Sequence, residues 1–150
     1  MAGKGSSARA RQHARELLVQ ALYQWQLAGH DEDVLKEQFK AAPEFGKADD
    51  RYFEEMLHAV LADVDALDGL IRRHAARSLA QLDAVGRGVL LLGLAELKHR
   101  LDVPTKVVIN EAVNLAKRYG AAESFKFVNA VLDKAVREMG AEWGRGEGSA

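Results

Sequence analysis

The chain contains 150 residues, which suffices for one folded domain with a hydrophobic core and no metal or disulfide support. Cysteine is absent, which excludes thiol nucleophiles, thiolate metal sites and disulfide bonds and agrees with a cytoplasmic protein. The formal net charge is −1 and no apolar run is long enough to span a bilayer, so neither bulk charge nor a membrane segment identifies a partner.

The N-terminal part of the chain is predicted to hold a flexible arm and two helices. Residues 1–8 are mostly small or polar and form the expected basic arm, with helical order beginning near Ser7. Apolar residues at spacings of three and four then predict a long amphipathic helix that ends about Gly29. Asp31 can cap a shorter helix that ends before Pro43, after which we expect a loop.

The middle of the chain is predicted to supply the core helices. One of them is capped at or next to Asp49 and carries a broad apolar stripe. The stripe continues past Gly69 to about Ser78, as one kinked helix or two abutting helices. A further helix begins about Asp83 and is apolar almost all round over residues 89–94, so we expect it to be the most enclosed element.

Two C-terminal helices are predicted to meet at a joint rich in basic and aromatic residues. Pro104 can begin the first helix because proline suits a first helical turn, and Gly120 ends it. The second helix begins near Glu123, and the Gly-rich residues 140–150 are expected to form a flexible tail. Because no strand pattern occurs, the fold class is all-α, a bundle of about seven helices in one domain over residues 9–139.

Charge is distributed unevenly along this predicted bundle. Residues 1–15 contain four basic residues and no acidic one, residues 31–70 carry a net charge of −8, and residues 98–134 carry +3. A protein charged in this way can present a basic face to a polyanion while an acidic face keeps it in solution.

The sequence contains no recognisable catalytic or metal-binding constellation. It lacks a phosphate-cradling Gly-rich loop, a Gly-x-Ser-x-Gly elbow and a His-Glu-x-x-His motif. The five histidines are scattered, and none pairs with another at ligand spacing. We therefore expect neither enzymatic activity nor a bound metal or other cofactor.

Basic and aromatic side chains instead favour nucleic acid as a ligand. Guanidinium groups at Arg9, Arg11 and Arg15 offer paired donors to phosphate oxygens. Their charge near a helix N-terminus opposes the helix macrodipole, which favours a role other than folding. Tyr23 and Phe127 lie beside the apolar stripes of their helices, where partly exposed rings can stack on unpaired bases. A solvated basic tail and two core rings are the alternative interpretations.

Four short segments near the C-terminus carry a family resemblance. They are Asp102-Val103-Pro104, Val108-Ile109-Asn110-Glu111-Ala112, Leu115-Ala116-Lys117 and Lys126-Phe127-Val128-Asn129. With them, the chain from about Arg9 to Val136 resembles the NusB family of bacterial transcription antitermination proteins. The resemblance implies an all-helical protein without catalytic activity, built as two small subdomains of three and four helices.

The resemblance also implies partners and site residues. The protein would pair with the small-subunit ribosomal protein NusE, and the heterodimer would bind the single-stranded boxA segment of nascent RNA. The complex would join RNA polymerase with other Nus factors and suppress termination, notably on ribosomal RNA operons. By position, the family's RNA-binding residues correspond to Arg9, Arg11, Arg15, Tyr23, Glu123, Lys126 and Phe127. The NusE-binding residues stay open, as does the choice between a monomer and a homodimer for the free protein.

The chain departs from the family pattern at several positions. Arg11-Gln12-His13 stands where a longer arginine run is common, which lowers the expected number of phosphate contacts and predicts pH-sensitive RNA binding through His13. Val85-Gly86-Arg87-Gly88 occupies a segment that often holds an acid facing NusE. Leu91 replaces a frequent arginine, and Ala130 replaces a frequent glycine.

Two other functions remain beside antitermination, because a fold alone does not define a function. One is a helical protein-binding adaptor without RNA binding, which salt-insensitive partner binding would favour. The other is the RNA-binding domain type found fused to ribosomal RNA methyltransferases, for which we expect a chain of this length to leave no space for the methyl-donor domain.

Overall fold

The computed structural model describes residues 7–75 and 82–146, most of which are helical. In chain order the helices are α1 (Ala8–Ala28), α2 (Glu32–Lys40), α3 (Asp50–Leu61), α4 (Val64–His74), α5 (Ala84–His99), α6 (Thr105–Tyr119) and α7 (Ser124–Met139). No strand occurs within the two described ranges, so the all-α class predicted from the sequence is confirmed. The described residues divide into two compact units, the first ending at Ala62 and the second beginning at Asp63.

Side-chain caps set the starts of four helices where the sequence predicts them. In each case an oxygen of the residue before the helix accepts a hydrogen bond from a backbone N–H of the first turn. These capping residues are Ser7, Asp31, Asp49 and Asp83. Gly29, with a φ of 73°, ends α1 in the left-handed conformation that glycine adopts without steric cost.

The first unit packs α1 against α2 and α3. Its core includes three phenylalanine rings, with centroid separations of 6.0 Å for Phe39 and Phe53 and 5.3 Å for Phe45 and Phe53. The Asp49 N–H donates to the carbonyl oxygen of Ala10 at 3.0 Å. This hydrogen bond joins the start of α3 to the first turns of α1, and it therefore brings α3 side chains next to the basic residues of α1.

The second unit is built around α5, which packs against α4, α6 and α7. Residues 88–97 are all buried, which confirms the prediction that this helix is the most enclosed. At Gly93 an added Cβ would lie 3.1 Å from Leu132 Cδ1 and 3.7 Å from Ala112 Cβ. Because a side chain would not fit without displacing Leu132, glycine permits the close approach of α7 to α5.

Two internal segments differ from the sequence-based expectations. Pro43–Lys47 forms a short 3₁₀ helix in place of the expected loop. The break between α3 and α4 falls at Ala62 and Asp63, whereas Gly69, where the sequence suggested a kink, lies inside α4. Glycine lowers helix propensity by about 1 kcal/mol but does not by itself end a helix. α4 ends at His74, and residues 76–78 of its expected extension lie outside the described residues.

The two chain ends also bear on the expected arm and tail. Residues 1–6 of the expected arm lie outside the described residues, while Ser7 caps α1 and Ala8 is its first residue. Residues 140–146 differ from the flexible tail expected from their composition. Trp143 is 8% exposed there, and Arg145 hydrogen-bonds to the end of α5. Burial of the Trp143 indole and the hydrogen bonds of the Arg145 guanidinium stabilise a fixed structure here, although a glycine-rich composition favours flexibility. Residues 147–150 lie outside the described residues.

Candidate nucleic-acid interface

Arg11, in the first turn of α1, is held by residues of α3. Its guanidinium carbon lies 4.5 Å from the centroid of the Tyr52 ring, a cation–π distance. Its Nε lies 3.8 Å from Asp49 Oδ2, and 22% of the side chain stays exposed. The side chain is therefore fixed by two neighbours while part of it still reaches solvent, an arrangement that suits an anion-binding arginine.

Arg15, one turn further along α1, contacts the same tyrosine from inside the unit. Its guanidinium carbon lies 5.4 Å from the Tyr52 ring centroid, and its Nη2 donates to the Tyr52 hydroxyl at 3.5 Å. Arg15 is only 3% exposed. The structure therefore does not present Arg15 to a phosphate as the sequence interpretation expected, but it places Arg15 where it supports Tyr52.

The other two residues of this helix start differ in their surroundings. Arg9 is exposed at the beginning of α1. His13 Nδ1 lies 3.9 Å from Glu16 Oε1, so a protonated His13 would form an ion pair within α1. The pH-sensitive RNA binding expected through His13 stays a prediction.

Tyr23 lies on the outward face of α1, two turns after Arg15. It is 43% exposed, whereas the adjacent Leu22 is fully buried. Leu27, one turn later on the same face, is also exposed. The position of Tyr23 beside the apolar stripe thus leaves much of its ring accessible, as stacking on a base requires.

Glu123, Lys126 and Phe127 lie together where α7 begins. Glu123 has a φ of 71°, the only positive φ among the described non-glycine residues. Its Oε1 lies 2.7 Å from Lys126 Nζ, and both side chains are about two-thirds exposed. Phe127 is half-buried in the same turn. The second unit therefore groups a cation, a carboxylate and a ring, as the sequence interpretation expected.

Asp49 and Tyr52 were missed as parts of the site by the sequence interpretation. Asp49 was identified only as a helix cap, and Tyr52 was placed only within the helix that follows this cap. Tyr52 is 37 residues from Arg15 in sequence, and helical periodicity carries no information on such a contact. The available signal was the Asp49 cap, which fixes the first turn of α3 and hence the position of Tyr52.

The part of the chain that the structure describes contains no group of three or more His, Asp or Glu side chains placed to hold a metal ion. Over the same residues, every helix is too short or too polar to cross a membrane.

The segment of residues 85–88, where the family resemblance led us to expect an acid, is held by a contact within the second unit. Arg87 donates from Nε to Asp68 Oδ1 at 3.0 Å and from Nη2 to Asp68 Oδ2 at 2.6 Å. This paired arrangement links α5 to α4. Leu91 is fully buried, and Ala130 is exposed. Arg87 and Leu91 therefore make contacts within the second unit.

An all-helical protein with a preorganised arginine near one helix start, and with basic and aromatic residues at a helix joint, has features typical of helical nucleic-acid-binding modules. The sequence profile of the NusB family matches residues 12–137. The chain therefore belongs to the NusB family.

Individual relatives agree with this assignment. The chain is 47% identical over 134 residues to the transcription antitermination protein NusB of Alcanivorax borkumensis, with 89% of each chain covered. It is 48% identical over 127 residues to that of Escherichia coli, covering 85% of this chain and 91% of the relative.

Solved structures share the fold. The NusB structure from T. maritima has a TM-score of 0.76 and 33% identity, covering 85% of this chain and 91% of the other. A crystal structure of antitermination factors NusB and NusE in complex with dsRNA has a TM-score of 0.71 and 27% identity, and the match covers 88% of this chain and 99% of the other.

Proposed function

We propose that this protein is a transcription antitermination factor that pairs with ribosomal protein NusE and binds the single-stranded boxA segment of nascent RNA. The observation that carries the proposal is Arg11, held at the start of α1 by Tyr52 and Asp49 with 22% of its side chain exposed. Family membership supplies the biological setting, and the geometry supplies the means of contact with RNA.

The arginines act on the phosphate backbone. A guanidinium fixed on an aromatic ring loses little conformational freedom when it binds, so more of its interaction energy appears as affinity. Arg9 adds an exposed cation two residues before Arg11 in the same helix. Arg15 acts from inside the unit by supporting Tyr52, with no direct phosphate contact.

Ring stacking gives the second kind of contact. Tyr23 offers an exposed face on α1, and Phe127 offers a half-buried ring at the start of α7. Bases of single-stranded RNA stack on such rings, while base edges are read by polar groups such as the Glu123 carboxylate and the Lys126 ammonium. Each unit of this chain thus contributes a small set of contacts.

Pairing with NusE explains how so few contacts give specific binding. A few phosphate contacts and two rings provide modest affinity, and a second protein that contributes its own contacts multiplies it. The solved complex of NusB and NusE with dsRNA supports such a joint surface. The heterodimer would then join RNA polymerase through other Nus factors, notably on ribosomal RNA operons. We propose that the protein acts in the cytoplasm without catalysis or a cofactor.

The decisive experiment is a titration of a labelled boxA-like RNA with this protein, with and without NusE, at two salt concentrations. A scrambled RNA of the same length is the control. We expect binding that depends on sequence, grows with NusE and weakens with salt. Absence of RNA binding in both mixtures, together with salt-insensitive NusE binding, would instead indicate a protein-only adaptor.

A further inference from the structure

We propose that the end of α6 carries a second RNA-binding surface, which takes nucleotides that flank the boxA segment. This surface, the α6 ledge, consists of Lys117, Arg118, Tyr119 and Phe125. The proposal rests on the proposed function and extends the path of the same RNA strand.

Cation–π contacts give the α6 ledge its geometry. Lys117 Nζ lies 4.9 Å from the Phe125 ring centroid, a contact that spans the turn between α6 and α7. The guanidinium carbon of Arg118 lies 5.5 Å from the Tyr119 ring centroid. Each ring of the ledge therefore has a cation beside it, at distances where cation and ring attract each other.

The exposure of Tyr119 indicates a role outside the core. Tyr119 is the last residue of α6 and is 40% exposed, whereas Tyr52 in the first unit is buried. Partly exposed aromatic rings next to cations are the usual means by which proteins hold single-stranded nucleic acid, because a base stacks on the ring while a phosphate meets the cation.

Three cations lie close together in sequence at this joint. Lys117 and Arg118 in the last turn of α6 suit the negative end of the macrodipole. Lys126 lies in the first turn of α7, where the macrodipole disfavours positive charge, and the Glu123 carboxylate, 2.7 Å away, offsets this cost. The exposed Lys117 and Arg118 are therefore the cations that the ledge offers to phosphates.

Continuity with the proposed boxA contacts supports RNA as the occupant. Phe125 shares the first turn of α7 with Lys126 and Phe127, and Lys117 reaches Phe125 from α6. A strand stacked at Phe127 therefore needs to extend only a short distance to meet the α6 ledge. Lys117, Arg118 and Lys126 are all exposed, and Lys126 pairs with Glu123, so cations line this joint where a chain of phosphates can meet them.

The test compares a boxA-like RNA with the same RNA carrying a short single-stranded extension at its 5′ or 3′ end, in the presence of NusE. For the unchanged protein we expect one of the two extensions to tighten binding by about five-fold or more, as one stacked base would. The double variant Arg118→Gln, Tyr119→Leu should bind the unextended RNA normally and lose this gain. We also expect its affinity for the extended RNA to depend less steeply on salt. The slope of log affinity against log salt concentration should fall by about 0.7 for each phosphate that the variant no longer neutralises.

Arg137→Gln provides the matched control, since it removes one exposed cation from α7 near its other end. We expect this variant to keep the gain from the extension. Equal loss of the gain in both variants would indicate bulk charge and overturn the proposal.

Three further outcomes would also overturn the α6 ledge. Binding of unextended boxA RNA without any gain from either extension would reject the ledge and leave the proposed function intact. Weaker binding of NusE to the double variant, with RNA binding unchanged, would assign these residues to a protein interface. Failure of every RNA to bind any variant would reject both proposals. Circular dichroism of each variant verifies that it is folded.

Discussion

Arg145 donates its Nε–H to the carbonyl oxygen of Leu97 at 2.7 Å, although 48 residues separate the two in sequence. The same guanidinium donates to four further acceptors at 2.9–3.2 Å, on Glu96, Arg100, Val103 and Thr105. Three of the five acceptors are carbonyls at the end of α5, where a helix leaves its last carbonyls without intrahelical partners. Those of Glu96 and Arg100 also accept a backbone N–H, from Arg100 and Val103 respectively. Burial lowers the pKa of the Arg145 guanidinium, but the group stays charged at neutral pH because the pKa of arginine lies far above neutrality.

Arg145→Ala should destabilise the second unit. The change removes five hydrogen bonds from a charged donor, so we expect a loss of about 2–3 kcal/mol. Urea unfolding followed by circular dichroism measures it. Arg137→Ala, which breaks one exposed ion pair, is the control and should cost at most about 0.5 kcal/mol. Equal effects of the two changes would contradict this role for Arg145.

Arg11→Lys should weaken RNA binding while the net charge stays the same. A lysine ammonium cannot reproduce the planar stack on Tyr52 or the paired donors to phosphate, so we expect a loss of about 1 kcal/mol in binding free energy. Arg9→Lys, at an exposed position, should cause a clearly smaller loss of RNA-binding free energy. Fluorescence anisotropy with boxA-like RNA gives both values. If the two variants bind alike, the support of Arg11 by Tyr52 is irrelevant to binding.

Phe127→Ala should weaken RNA binding by about 1–3 kcal/mol if the ring stacks on a base. Because Phe127 is half-buried, the same change also removes packing within the second unit. Phe127→Leu separates the two effects, since leucine retains most of the apolar volume but offers no ring. RNA affinity that falls in both variants, with stability kept in the leucine variant, is the expected result. Full affinity in the leucine variant would assign Phe127 to the core.

The lowered pKa of Glu32 predicts that this residue stabilises the first unit in a pH-dependent way. Burial raises its pKa, but hydrogen bonds and charge from Lys36, 2.9 Å away, and His58, 3.1 Å away, outweigh burial and hold the pKa below its usual value. A carboxyl group whose pKa is lower in the folded state than in the unfolded state stabilises the folded protein at pH values above the unfolded-state pKa. This stabilisation is lost as the pH falls through the folded-state pKa.

Glu32→Gln should therefore cost about 0.5 kcal/mol near neutral pH and almost nothing well below the ordinary glutamate pKa of 4.5. Urea unfolding of both proteins across this acidic range measures the difference. A cost that does not change with pH would show that the carboxylate charge is unimportant there.

Most helix boundaries could be predicted because their determinants are local. Ser7, Asp31, Asp49 and Asp83 each precede an apolar pattern of helical spacing, and each caps the helix that follows. The break at Ala62 and Asp63 was missed, because the apolar pattern continues across it and Asp63, although of a capping type, makes no side-chain cap hydrogen bond. Gly69 suggested a break in the wrong place.

The candidate site was predicted in part, for a related reason. Residue type and helical position identified Arg11, Tyr23 and Lys126 from the sequence. The supporting contacts join residues far apart in the chain, as Arg15 does with Tyr52, and sequence spacing does not encode them. Trp143 and Arg145 were overlooked because the glycine-rich composition of their segment predicts flexibility, and because the residues that they contact are distant in sequence.

The hydrogen bond from Asp49 N–H to the Ala10 carbonyl has a consequence for attempts to reduce this protein to a peptide. A synthetic peptide with the sequence of α1 would retain Arg9, Arg11 and Arg15 but lack the α3 turn that supplies Tyr52 and Asp49. It would attract RNA through charge without holding any guanidinium in a fixed place. The proposed anion site thus depends on tertiary contacts, and we expect an RNA that binds there to raise the melting temperature of the N-terminal unit.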